Sequence, residues 1–189
     1  MSTRLSQLPK IMPLLVLVAA VALGVAILLY SGKAGMAPRT ALAATFQDLS
    51  SSGNSSCSAA FKDSIDSMPD SAQLKGSCCS AMNFDRYREQ IEGLKKYKDI
   101  AEIPSDPYNI NAGLDKELKS HYDVPLTPDE QKVYDYAMAH SMEKGPCCCK
   151  CWRWYVYGGL AKLLIQKYHF TGEQVTDVWD LSDGCGGAH

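Results

Sequence analysis

Apolar residues recur at helical spacing through most of the chain. Phe61, Ile65 and Met68 stand at i, i+4 and i+7 before Pro69 intervenes, and Phe84, Tyr87, Ile91 and Leu94 repeat the pattern across "NFDRYREQIEGLKKYK". A proline-containing connection, "IPSDPYNINAG", leads to a weaker helix with Leu114, Leu118 and Tyr122 on one face. In "TPDEQKVYDYAMAHSMEKGP", Thr127 and Glu130 form a capping box, Pro128 suits the first helical position, and Gly145-Pro146 ends the helix. A second box, Thr171 to Gln174, opens a helix that buries Val175, Val178 and Trp179 and stops at Gly184. Between these two a further helix is predicted from about Cys151 to Tyr168. No convincing run of alternating β-branched residues occurs, so residues 57–189 are predicted to be a small all-α domain of five or six short helices.

A different pattern precedes that domain. Ile11 to Tyr30 is twenty residues without a charge, close to the length that crosses roughly 30 Å of hydrocarbon. Arg4 and Lys10 lie before it, which places residues 1–10 in the cytoplasm and the rest of the chain outside. A signal peptide would have a shorter apolar core with its cleavage site close behind, whereas "ALAA" at 41–44 lies well beyond Tyr30. An uncleaved single transmembrane anchor over 11–30 fits better. Residues 31–56, rich in Ser, Gly, Ala and Thr, read as a flexible linker.

Charge narrows the partners. All 21 acidic residues lie beyond Thr45, against 15 of the 19 basic ones, so the exported part carries a formal −6. Nucleic acid selects basic faces and is excluded on that ground. Contact with the membrane is expected through the anchor. No Ser/His/Asp arrangement, phosphate loop or paired-carboxylate site stands out, which argues against a hydrolytic or phosphoryl-transfer enzyme.

The candidate chemistry is sulfur. All eight cysteines lie on the exported side: Cys57, Cys78, Cys79, Cys147, Cys148, Cys149, Cys151 and Cys185. Three clusters are predicted just before helices, where the macrodipole favours thiolate, the form that binds metal. If "PCCCKC" is extended, Cys147, Cys149 and Cys151 share a face; if helical, Cys151 meets Cys147 or Cys148. Adjacent cysteines make poor disulfides, because their Cα separation of about 3.8 Å is below the usual range. Met82, three residues after Cys79, is a further soft donor, and Cys185 with His189 could form another pair. Thiolate and thioether ligands select Cu(I), zinc or an iron–sulfur cluster, and the mixture at an extracytoplasmic address favours copper. Met82 also suits a core position, His121 a loop and His140 a helix face.

Two other readings compete. Small exported domains are commonly stapled by disulfides, which would leave a structural adaptor with its tryptophan-rich helix as the contact. Cys148 and Cys151 form a C-x-x-C pair, the spacing of thiol-disulfide oxidoreductases, although the βαβ setting of such motifs is missing. The helix "WRWYVYGGLAKLLI" is too short to span a bilayer, and Gly158-Gly159 would let another backbone approach it inside the core.

The run "VYDYAMAHSMEKGPCCCKCW", followed by "VTDVWDLSDGCGG", resembles the PCYCGC-motif proteins, exported bacterial proteins of which many are lipid-anchored. Pro146, Cys147, Cys149 and Cys151 match the motif, while Cys148 stands in place of its tyrosine and Lys150 in place of its glycine. No lipobox cysteine follows the apolar stretch, so anchoring here would be by the helix itself. The resemblance implies a membrane-tethered, cysteine-dependent, metal-binding module. Its expected partner is a membrane metalloenzyme or metal transporter.

Overall fold

In the computed structural model, residues 39–187 are described. The anchor expected at 11–30 and His189 lie outside them, and no helix among the described residues is long and apolar enough to cross a membrane. The cysteines all belong to one compact unit, Ala44–His189.

That unit is mostly helical. A helix α1 over 39–51 is followed by α2 (Ala59–Ile65), α3 (Phe84–Leu94), α4 (Ala112–Ser120), α5 (Pro128–His140), α6 (Trp152–Tyr168) and α7 (Gly172–Leu181). Both expected capping boxes form, with Thr127 and Glu130 opening α5 and Thr171 and Gln174 opening α7. Helix α6 is apolar around its circumference because α2, α4, α5 and α7 all pack against it. Its glycine pair serves the core: a Cβ on Gly159 would stand 1.9 Å from the Leu118 carbonyl oxygen of α4.

Two features depart from the sequence reading. The segment 31–56, read as a linker, contains α1, whose Leu49 is buried and whose Phe46 meets the rings of Phe84 and Tyr87 at 5.2 and 5.8 Å. Two apolar side chains one turn apart were enough to dock it, and the surrounding serines and alanines hid them. There is also a short antiparallel pair, β1 (Gln73–Lys75) with β2 (Asn109–Asn111), with Leu74 opposite Ile110. Three-residue strands leave no alternating pattern to read.

Asp115 in α4 is 1% exposed, and neither carboxylate oxygen has a hydrogen-bond partner. Burial pushes its carboxyl up to about 6. Between about pH 4 and pH 6 the folded chain therefore holds a proton that the unfolded chain releases. The penalty is absent below that window and complete above it, amounting to about 3 kcal/mol. Asp115→Asn is expected to gain roughly 2 kcal/mol more stability at pH 7 than at pH 4.5 in urea unfolding. An equal change at both pH values would show that the carboxyl is not perturbed.

Candidate metal centre

The peptide from Gly145 to Cys151 is a series of bends leading into α6, with Cys151 as the N-cap residue. This path lets alternate side chains turn inward, and Cys147, Cys149 and Cys151 form one of the sulfur trios. Cys57 lies immediately before Ser58, the N-cap of α2. Cys78 and Cys79 sit in the loop between β1 and α3, five and four residues ahead of the Asn83 N-cap, and so outside the first turn.

Cys185 is brought in by the tail after α7. Arg86 and Gln90 of α3 donate to the carbonyls of Asp180 and Asp183, and the Cys185 amide donates to the Asp183 carboxylate at 3.0 Å. Backbone bonds from Cys78, Ser80 and Gly187 to Gly184, Cys185 and Ala81 then lay the tail against the Cys78-Cys79 loop. Gly186, with φ +82°, permits the crossing: a Cβ there would lie 2.2 Å from the Ser80 carbonyl oxygen.

All eight cysteines converge, and all are free thiols. A continuous path of sulfurs runs through the site. Cys57 to Cys79 is 3.0 Å, Cys79 to Cys148 3.6 Å, Cys148 to Cys185 3.0 Å, Cys185 to Cys147 3.1 Å and Cys147 to Cys151 3.8 Å; Cys78 joins at Cys79, 3.7 Å away. Five trios have their sulfurs within 4.8 Å of one another: Cys57/Cys78/Cys151, Cys57/Cys79/Cys149, Cys78/Cys79/Cys185, Cys147/Cys149/Cys151 and Cys147/Cys148/Cys185. Every cysteine except Cys148 belongs to two of them. A metal–sulfur bond of about 2.3 Å in tetrahedral geometry sets sulfurs about 3.8 Å apart, so the wider contacts already match the edge of a thiolate site.

The protonation pattern is set by crowding more than by helix ends. Hydrogen bonds from Cys147, Cys151 and Cys185 hold the Cys78 thiol far below its ordinary range, helped by the charge of Arg153. Hydrogen bonding among the same thiols pushes Cys147 up, and burial raises Cys57. Burial likewise lifts Cys79 to about 12. The shifts are mixed, with Cys78 and Cys149 lowered and Cys57, Cys79, Cys147, Cys151 and Cys185 raised, in place of the generally lowered thiols expected at helix starts.

The sequence reading passed over Arg153. It is fully buried in α6 and donates to the carbonyls of Pro107 at 2.5 Å and Gly76 at 3.1 Å, with its guanidinium 4.4 Å from the Trp152 ring centroid. Burial opposes its charge, but Tyr157, Cys78, Cys147 and Cys185 together keep it protonated. A single arginine in an apolar helix directly after four cysteines was the available signal.

Met82 goes elsewhere. Its sulfur accepts from Ser50 at 3.6 Å and lines a pocket with Phe46, Leu49 and Ala81, in which no cysteine takes part. The short α1 contact, absent from the linker reading, captures it. His140 stacks on Tyr136 in α5 and His121 caps α4, and the five trios found among the described residues contain cysteine only. Cys148 and Cys151, the C-x-x-C pair, share none of the five trios. A cavity of about 620 Å³ beside Tyr87, Tyr97 and Ile110 contains no cysteine, and its Asp106 is bonded to Tyr87 and Tyr108.

The fold and site define a small helical protein with an eight-thiol cluster. Compared with protein-family models, curated proteins and solved structures, the chain matches none.

Proposed function

We propose that this is a membrane-anchored, extracytoplasmic Cu(I)-binding protein. It stores copper or passes it on, as a metallochaperone or accessory subunit, to a membrane metalloenzyme or transporter. The observation that carries this reading is the grouping of sulfurs in overlapping trios. Cu(I) is a soft ion satisfied by two or three thiolates, and shared sulfurs can bridge neighbouring ions. Zinc favours closed sets of four, so eight unshared cysteines would make two such sites. An iron–sulfur cluster would need the sulfurs spread around a sulfide core, not in contact with one another. The resemblance to the PCYCGC-motif proteins and the apolar stretch at 11–30 support the membrane-tethered setting.

The test is elemental analysis of full chain purified anaerobically and loaded with Cu(I) or zinc in parallel. Copper is expected to be retained at more than two ions per chain, filling cooperatively in native mass spectra. X-ray absorption should show an all-sulfur shell and a copper neighbour. Two zinc ions per chain held in preference to copper, or no metal at all, would overturn the reading.

A further inference from the structure

We infer that Cys79 and Cys148 form the exchange port of the cluster, where Cu(I) is handed to or taken from a thiol-bearing partner. The inference rests on the Cu(I) reading of the site. It follows from an asymmetry of exposure within the eight sulfurs. Cys147 and Cys151 are 2% exposed and Cys185 is 3% exposed, and Cys57, Cys78 and Cys149 are half-buried. Cys79 and Cys148 alone among the eight are exposed, and their sulfurs are 3.6 Å apart although the residues come from different loops. Ser80, Ala81 and Lys150, close to them in sequence, are exposed as well.

Ligand exchange at Cu(I) requires the incoming sulfur to reach the ion while some of the original thiolates still hold it. The buried floor of Cys147, Cys151 and Cys185 offers no approach for a partner's side chain. The outer pair does, and each member touches an inner sulfur at 3.0 Å, Cys79 against Cys57 and Cys148 against Cys185. An ion held at the edge can therefore pass inward from one sulfur contact to the next, each no longer than 3.8 Å.

The step balances without a redox change. One copper–sulfur bond to Cys79 or Cys148 breaks and one to the partner thiolate forms, while the proton displaced from the partner thiol moves to the released cysteine sulfur. Copper remains Cu(I).

Glutathione is a suitable probe thiol, with bathocuproine disulfonate reporting the copper released from the loaded full chain. The double variant Cys79→Ser/Cys148→Ser keeps two trios whole, Cys57/Cys78/Cys151 and Cys147/Cys149/Cys151, so it is expected to bind fewer copper ions than the wild type. Per copper bound, its glutathione-dependent release should fall at least tenfold. In the copper-loaded wild type, iodoacetamide should label Cys79 and Cys148 before any other cysteine. Unchanged glutathione dependence in a copper-retaining double variant, or first labelling at Cys147, Cys151 or Cys185, would overturn the port while leaving the copper site standing. A wild-type chain that holds no copper would overturn both.

Discussion

Removing Cu(I) from the loaded protein is expected to lower its melting temperature by about 10 °C. A ligand bound only by the folded state stabilises by about 4 kcal/mol when present at about 1,000 times its dissociation constant, and in a chain of this size each kcal/mol moves the midpoint by about 2–4 °C. The cluster needs the fold to assemble it, because its sulfurs come from the α2 start, the β1–α3 loop, the α6 start and the tail after α7. Anaerobic thermal unfolding with and without bathocuproine disulfonate measures the shift. In Cys147→Ser/Cys149→Ser/Cys151→Ser the chelator should have little effect, since four of the five trios lose at least one member. An equal drop in that variant would show that the stabilising ion sits elsewhere.

This binding should strengthen with pH. Cys79, lifted to about 12 by burial, together with Cys57 and Cys147, which are also raised, must lose protons to become ligands. Each proton released makes the affinity about tenfold greater per pH unit. Competition titrations at pH 6 and pH 8 should show that direction.

The second large effect is expected at Arg153. Arg153→Met leaves the carbonyls of Pro107 and Gly76 without their donor and removes the positive charge beside Cys78. Breaking a buried charge arrangement of this kind costs about 3–5 kcal/mol. Arg153→Lys keeps the charge but not the two-pronged geometry, so it should lose stability too, yet preserve more of the thiolate. Urea unfolding of the metal-free protein gives the stability loss. The pH profile of Cys78 alkylation separates the roles, because only the methionine variant should shift it upward. If both variants left that profile unchanged, Arg153 would serve packing alone.

Much of the architecture was legible along the chain. The capping boxes at Thr127 and Thr171 and the apolar periodicity of α3 are local properties, set by side chains within a turn or two of one another, so they survive reading in one dimension. The alternation in "PCCCKC" likewise anticipated the Cys147/Cys149/Cys151 trio. Helix α1 was hidden because only Phe46 and Leu49 mark it, and their value depends on Phe84 and Tyr87, which lie far along the chain. Met82, three residues after Cys79, was legible either as a soft donor or as a core residue, and its contact with α1 turns its sulfur to Ser50.

By itself the sequence determined that eight thiols are available, that helices dominate, and that one dense cysteine run opens α6. Only the tertiary structure decided that Cys57, Cys79, Cys148 and Cys185 touch, that Arg153 lies buried beside them, and that two sulfurs face outward. The physical reason is range. Helix starts and side-chain alternation follow from backbone geometry over a few residues. The meeting of sulfurs more than a hundred positions apart depends on how α3 and the tail after α7 close over the β1–α3 loop, which no local pattern encodes.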